Sequence, residues 1–171
     1  MARETLETRG INSIVWGSDR PVHITTMEAN GTDIYPGVCV TATGETYPNI
    51  DLCGASSAGE IPLGIVMNDV SGELDKDTVY PDGAGTANVP VLTIGRNPGL
   101  GVYAFFKESP GALVFGMFCT YEDSTGDLET FAVGVSASTS IEDTMAIVVG
   151  RIWEARADNA AAKLTKIRLG V

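Results

Sequence analysis

The sequence predicts an all-β fold, a small β-barrel or sandwich of short strands joined by turns rich in glycine and proline. Glycine (20) and proline (8) together account for 28 of the 171 residues, which leaves few uninterrupted stretches long enough for a helix. The segments between them are short and rich in β-branched and aromatic residues, which favour strands. Several segments also alternate polar and apolar residues with a period of two, as strands with one buried face do.

Five turn signals divide the chain, and each contains a glycine or proline suited to a tight turn: Asn30-Gly31, Pro36-Gly37, Pro81-Asp82-Gly83, Asn97-Pro98-Gly99 and Pro110-Gly111. The apolar segments between these signals predict strands over residues 22–26, 37–42, 63–67, 89–94, 102–106, 112–121, 130–135, 145–153 and 164–169. Turns at such short intervals are typical of an all-β domain.

Two segments near the C-terminus carry distinct patterns. Residues 145–150 are apolar throughout, which predicts a strand covered on both faces. Residues 154–166 contain five alanines, which favour a helix, but Asp158 and Asn159 supply turn chemistry between two strand-like segments. We therefore predict a hairpin in this segment, with a helix as the alternative.

A weak internal repeat is also visible. The phrases of the first half are Pro36-Gly37-Val38-Cys39-Val40-Thr41 and Pro62-Leu63-Gly64-Ile65-Val66, and those of the second half are Phe115-Gly116-Met117-Phe118-Cys119-Thr120 and Val148-Val149-Gly150-Arg151-Ile152. Each half thus contains a strand beside a glycine turn, a variable loop and an apolar strand that bears a glycine. The identities are few, so both a duplicated unit and a chance likeness stay open.

The chain length predicts one domain, and the composition of the first 20 residues predicts an arm before it. At 171 residues the chain can bury one substantial core but is too short for two ordinary domains and a linker. Residues 1–20 are polar and charged around a single apolar group at residues 14–16, so we predict an N-terminal arm over 1–20 and a single β-barrel domain over 21–171. The tryptophan in the arm can pack on its own barrel or reach a neighbour.

The charge of the chain is strongly negative and unevenly distributed. Acidic residues number 22 against 11 basic ones, a net charge of −11, so nucleic acid and anionic lipid are not expected as partners. Residues 151–171 hold five basic groups against two acidic ones, a net +3, which leaves −14 for residues 1–150. A basic tail on an acidic body can pair with a second copy or with an acidic neighbour, and it can also be simply the solvated face of a strand.

Neither secretion nor a membrane is indicated by the sequence. No segment approaches the roughly 20 apolar residues of a bilayer span, and the first residues lack the apolar core of a signal peptide. Cys39, Cys53 and Cys119 fit neither a disulfide framework nor the paired spacing of a zinc site. We expect three buried, reduced thiols and synthesis in a cytoplasm.

The sequence offers no recognisable reaction centre. His23 is the one histidine, and it lies in an alternating segment typical of an outward position, so a Ser-His or Cys-His pair is not expected. No phosphate-binding loop or metal-ligand spacing is present. Acidic residues cluster within 69–77 and at Glu122-Asp123, where calcium is an alternative to solvated loop charge. We predict no enzyme, and no catalytic, cofactor-binding or metal-ligating residues.

The order of several phrases resembles the capsid cement or decoration proteins of tailed bacteriophages and related viruses. The matching phrases are Pro36-Gly37-Val38-Cys39-Val40, then Pro62-Leu63-Gly64-Ile65-Val66, then Val149-Gly150-Arg151-Ile152-Trp153-Glu154-Ala155, and finally Ile167-Arg168-Leu169-Gly170. The middle of the chain, residues 69–110, is longer than this family's pattern. The resemblance implies a small β-barrel on the exterior of an icosahedral shell.

The resemblance also implies partners and locations for the predicted contacts. It implies a homotrimer that binds the major capsid protein, made in the host cytoplasm and located on the capsid exterior of the virion. From composition and charge, we predict that the arm contacts the capsid through Arg3, Arg9, Ile14 and Trp16, and that copies contact each other through Arg151, Trp153, Arg156, Lys166 and Arg168.

Two alternatives to this function stay open. The first is another virion component, such as a head-fibre base or a tail-tube element. The second is a small-molecule-binding or enzymatic β-barrel, whose pocket would use Trp16, Trp153 or His23.

Overall fold

The fold is all-β, as the sequence predicts. The computed structural model describes residues 13–17, 21–29, 34–43, 49–54, 60–67, 80, 88–108, 110–122, 125–131, 147–157 and 163–170. Its strands are β1 (Val15–Gly17), β2 (Ile24–Ala29), β3 (Cys39–Ala42), β4 (Asn49–Leu52), β5 (Pro62–Val66), β6 (Asn88–Thr93), β7 (Gly101–Phe106), β8 (Phe118–Tyr121), β9 (Leu128–Phe131), β10 (Gly150–Ile152) and β11 (Lys163–Leu169). One 3₁₀ turn, Ile94–Arg96, joins β6 to β7.

The strands form two units that follow each other along the chain. The first unit, β2 to β6, is a closed barrel in the order β2-β4-β3-β5-β6. The second unit, β7 to β11, lies in a six-stranded sheet in the order β1-β7-β11-β10-β8-β9. A further pairing of β7 with β9, at Phe106 and Leu128, links the two ends of the second unit.

The two units have the same connectivity and the same register. In each, the first strand pairs parallel with the third strand, and every other pairing is antiparallel. Gly64 lies opposite Val40 and Thr93 in the first unit. Gly150 lies opposite Cys119 and Leu169 in the second unit. The repeated phrases in the sequence therefore occupy matching places in the fold.

Hydrogen bonds repeat at the same positions. The Gly37 N–H donates to the Val66 carbonyl at 2.8 Å, and the Gly116 N–H donates to the Ile152 carbonyl at 2.8 Å. The hydroxyls of two threonines repeat in the same way: Thr41 donates to the Ile61 carbonyl at 3.0 Å and Thr120 to the Ile147 carbonyl at 2.8 Å. Of the two readings of the repeat, this agreement supports a duplicated unit.

The glycines of the repeat are needed for steric reasons. Gly37 and Gly116 have φ of 91° and 86°, in the left-handed region that other residues rarely adopt. A Cβ atom on Gly64 would lie 2.3 Å from the Leu92 carbonyl oxygen, and one on Gly150 would lie 2.1 Å from that of Arg168. The second pair of glycines thus allows two strands to approach closely.

The two units share one core. Buried residues of both units belong to a single apolar cluster, which also contains Ile14. At the junction, the Phe105 N–H donates to the Gly37 carbonyl at 2.9 Å, and the Cys39 N–H donates to the Gly126 carbonyl at 2.7 Å. That one domain spans residues 21–171 stays a prediction.

Most predicted strands correspond to observed ones, with differences at their ends. The prediction of a continuous strand over 112–121 is wrong, because a turn at Val114–Met117 precedes β8. β10 and β11 form the antiparallel pair that the hairpin interpretation predicts. Parts of other predictions lie outside the described residues, namely the turns at 30–31 and 81–83, the acidic segment 69–77, residues 132–135 and 145–146, and most of the arm.

Candidate interaction face

In the described part of the chain, no three His, Cys, Asp or Glu side chains are arranged to hold a metal ion. His23 is exposed immediately before β2, where its N–H donates to Asn97 Oδ1 at 2.9 Å and its carbonyl accepts from Asn97 Nδ2 at 2.8 Å. The side-chain amide of Asn97 therefore connects the start of the β2 segment to the turn after β6. No helix in the described part of the chain is long and apolar enough to cross a membrane.

The three cysteines are buried free thiols. Burial raises the pKa of the Cys119 thiol to about 12, and burial together with a hydrogen bond to Cys53 raises the pKa of Cys39 well above its ordinary value. The Sγ atoms of Cys39 and Cys53 lie 3.4 Å apart. Because the thiolate is the nucleophilic form, Cys39 and Cys119 are poorly suited to nucleophilic chemistry at neutral pH.

The most distinctive surface is the outer face of the second unit. Along β11, Ile167 and Leu169 point into the core, while Lys166 and Arg168 point outward. Arg151 on β10 lies directly opposite Arg168 and is exposed. We call this surface the aromatic–cationic face, and it consists of Trp16, Tyr103, Phe118, Arg151, Trp153, Lys166 and Arg168.

Each cation of the face lies against aromatic rings. The Arg168 guanidinium carbon is 4.4 Å from the ring centroid of Trp153 and 5.4 Å from that of Trp16. Lys166 Nζ is 5.6 Å from the Trp16 ring and 5.7 Å from the Tyr103 ring. Arg151 is likewise stacked, with its guanidinium carbon 4.3 Å from the Phe118 centroid. Such contacts contribute about 0.5–1 kcal/mol each at exposed sites.

Strand β1 carries Trp16 onto the face. It pairs with the start of β7, and its preceding residue Ile14 is completely buried in the core. The Trp16 indole N–H donates to the Val102 carbonyl at 3.0 Å. The ring rests directly on Gly101, where a Cβ atom would lie 2.6 Å from it. The face therefore depends on a glycine that leaves room for the indole.

An exposed apolar group borders the cations. Phe115 is 57% exposed, Val114 51% and Trp153 39%. The Phe115 and Trp153 ring centroids lie 4.7 Å apart at an interplanar angle of 52°. Among the described residues, these are three of the five large apolar side chains that are exposed. Tryptophan, phenylalanine and arginine side chains together are the composition enriched at protein interfaces.

The matching face of the first unit is quite different. By the shared register, Cys39 corresponds to Phe118, Ile65 to Arg151 and Leu92 to Arg168. All three residues of the first unit are completely buried. This face is therefore buried in the first unit. In the second unit it is exposed and carries cations.

Most of the residues predicted to contact another copy lie together, and one lies apart. Arg151, Trp153, Lys166 and Arg168 all lie on the aromatic–cationic face, together with Trp16, which the sequence groups with the arm. Arg156 lies apart from these stacks, pairs with Leu113 and donates to the Leu164 carbonyl.

The remaining predicted contacts belong to the arm. Ile14 has no exposed surface and offers a partner nothing to contact in this arrangement. Arg3 and Arg9 lie outside the described residues. Sequence reasoning missed Tyr103, Phe115 and Phe118, because each lies in an apolar segment predicted simply as strand.

Comparison with known proteins adds no relative. No protein-family model matches the chain, and no curated protein matches it. The class of protein is therefore defined by the fold and the face alone: an all-β protein that presents aromatic and cationic side chains on one exposed sheet.

Proposed function

We propose that the chain is a structural virion protein that decorates the exterior of an icosahedral capsid as a homotrimer and binds the major capsid protein. The aromatic–cationic face is the observation that carries this proposal, because it has the composition of a protein contact and lacks that of a reaction centre. The phrases that resemble decoration proteins support it further, since residues 36–40, 62–66 and 149–155 form the matched strands and turns of the two units.

Contact between copies is assigned to the aromatic–cationic face on grounds of charge. Its three cations, Arg151, Lys166 and Arg168, belong to a chain with a net charge of −11. The remainder of each copy is therefore acidic, and a basic face complements it. Burying the rest of an aromatic side chain such as Phe115, which is 57% exposed, adds roughly 1–2 kcal/mol of favourable free energy.

Contact with the capsid is assigned to the arm before β1, which includes Arg3 and Arg9. Ile14 is omitted from this contact because it is buried, and Trp16 is reassigned to the aromatic–cationic face. A modest contact for each arm suffices, because three linked arms bind with much higher avidity than one.

The test removes the arm while leaving β1 in place. A variant lacking residues 2–12 keeps Ile14 in the core and Trp16 on the face. Light scattering is expected to show a trimer for both proteins: about 54 kDa, three times the chain mass of 17.9 kDa, for the full chain, and a mass lower by three times the deleted segment for the variant. Sedimentation with capsids of the virus that encodes the chain is expected to recover the full chain and not the variant.

Two results contradict the proposal. Equal capsid occupancy by the full chain and the shortened variant would refute the arm assignment. A full chain that stays monomeric in solution and fails to bind capsids would refute the decoration function itself.

The small-molecule-binding alternative receives less support from the geometry. Trp16 and Trp153 stack on Arg168 on an exposed sheet face and do not line the interior of a barrel. His23 is bound to Asn97 through its backbone and its side chain is exposed.

A further inference from the structure

Two cysteines of the first unit face each other across a pair of strands. Cys39 begins β3, and Cys53 directly follows β4. The register of these antiparallel strands places Val40 opposite Leu52, so the adjacent residues Cys39 and Cys53 also lie opposite each other. The Cys53 N–H donates to the Cys39 carbonyl at 3.1 Å, which agrees with this pairing.

The distances between the two residues suit a disulfide. The Sγ atoms of Cys39 and Cys53 are in contact at 3.4 Å. Opposed residues at a hydrogen-bonded place of an antiparallel pair have Cα atoms about 5.5 Å apart, inside the range of about 4.4–6.8 Å that disulfides span. Rotation of the two side chains therefore brings the sulfurs to a bonding distance of about 2.05 Å without separating the strands.

The backbone is less constrained at this pair than in the middle of the sheet. The Cys39 N–H donates to the Gly126 carbonyl at 2.7 Å and not to Cys53, so one hydrogen bond joins the pair. The next residue, Gly54, has a φ of 81°, and the chain turns away from the strand there. Small adjustments of the backbone at Cys53 therefore leave the rest of the β3–β4 ladder intact.

The duplication shows that the fold does not need sulfur at this place. By the shared register, the matching cross-strand pair of the second unit is Phe118 and Phe131. Two aromatic side chains are thus accepted where the first unit has Cys39 and Cys53. The requirement for a buried cross-strand pair does not by itself explain two thiols in contact.

The third thiol has no cysteine opposite it. Cys119 on β8 pairs with Thr130 on β9 and with Gly150 on β10. It is nonetheless close enough to Cys39 to raise the pKa of that thiol. A bond between Cys39 and Cys119 is therefore the alternative that an experiment has to distinguish.

We propose that Cys39 and Cys53 form an intramolecular disulfide in the folded chain when it meets a low-molecular-weight disulfide such as oxidised glutathione. One cysteine thiolate attacks the glutathione disulfide and releases one glutathione thiolate, and the other cysteine then attacks the mixed disulfide and releases the second. Two protein S–H bonds and one glutathione S–S bond break, while one protein S–S bond and two glutathione S–H bonds form. The inference does not rest on the proposed function.

Burial makes this reaction slow. Neither Cys39 nor Cys53 has exposed surface, and burial raises the pKa of Cys39, so the reactive thiolate is scarce. The reagent reaches the pair when β3 and β4 open locally. We therefore expect the rate to rise with urea at concentrations below the unfolding transition.

The bond makes stability depend on the redox state of the surroundings. It closes a loop over residues 39–53 in the unfolded chain. For a loop of about 15 residues, the lost chain entropy makes the unfolding equilibrium constant roughly a hundredfold smaller. The chain should therefore resist urea better in an oxidising medium than in a reducing one.

Counting thiols in the full chain tests the proposal without a substitution. After incubation with oxidised glutathione, denaturation and alkylation with iodoacetamide, mass spectrometry should find one alkyl group in place of three. Cleavage after glutamates separates the two cysteines, because Glu45 lies between them. We expect peptides 29–45 and 46–60 to be linked until a reductant is added, and the urea midpoint of the oxidised chain to be higher.

Two variants serve as matched controls, with circular dichroism as the check that each folds. Cys53→Ala should give no linked peptides, and Cys119→Ala should lose both remaining thiols to the bond. Retention of three thiols, closure only in urea that unfolds the chain, or a glutathione adduct that stays on Cys39 would overturn the proposal. A link between Cys39 and Cys119, or a lower urea midpoint for the oxidised chain, would overturn it as well.

Discussion

Replacing Gly101 by alanine tests how the aromatic–cationic face is built. The added Cβ atom would lie 2.6 Å from the Trp16 ring, closer than real Cβ contacts, so the ring must leave its place. The indole would then lose its hydrogen bond to Val102 and its stacking on Arg168 and Lys166.

The expected loss of stability follows from these contacts. The hydrogen bond contributes about 1 kcal/mol, and the two cation–π contacts about 0.5–1 kcal/mol each. If β1 detaches, Ile14 leaves the core, which costs roughly a further 1.5–3 kcal/mol. We expect Gly101→Ala to lower the free energy of unfolding by about 2–3 kcal/mol if β1 stays in place and by up to about 6 kcal/mol if it detaches.

Urea unfolding followed by tryptophan fluorescence measures this difference. Gly95→Ala is the matched control, because a Cβ atom there has nothing within 4 Å and should change stability little. In a double-mutant cycle, Trp16→Ala removes the clash, so the double variant should be about as stable as Trp16→Ala alone. Equal stability of Gly101→Ala and Gly95→Ala, or additive effects in the cycle, would refute the proposed packing.

Three further predictions follow from the same features. Gly150→Ala places a Cβ atom 2.1 Å from the Arg168 carbonyl oxygen, so we expect little folded protein by circular dichroism; a native spectrum would contradict this. Because the folded state keeps the Cys119 proton up to a pKa of about 12, while an exposed thiol loses it near 9.0, the free energy of unfolding should fall by about 1.4 kcal/mol per pH unit between these values. Cys119→Ala should reduce this slope in urea titrations above pH 9, and an unchanged slope would contradict the assignment. Arg168→Glu reverses a charge on the aromatic–cationic face and should lower the mass measured by light scattering, whereas Arg96→Glu, exposed on the 3₁₀ turn, should not.

The sequence was sufficient to predict the class of fold and part of the face. Alternation of Lys166, Ile167, Arg168 and Leu169 has a direct physical meaning, because successive strand residues face opposite sides. The repeated glycines also carried information, since close strand approach excludes other residues at Gly64 and Gly150.

Long-range pairing explains what the sequence could not predict. Trp16 reaches Arg168 only because β1 pairs with β7, and a periodic pattern gives the face of a residue without its neighbours. The repeat matches Gly116 with the glycine turn at Gly37, but a strand was nevertheless predicted through it, because the surrounding residues 112–121 are apolar enough to be interpreted as one strand. Burial of Ile14 likewise depends on this pairing. The composition of residues 1–20 alone therefore suggested an exposed arm.

An electron cryomicroscopy reconstruction of capsids bearing the chain tests the central claim most directly. We predict three copies around each threefold position, with Trp153 and Phe115 buried against a neighbouring copy and the arm against the shell. A map in which this face points into solvent, with no protein density against it, would contradict the proposed contact.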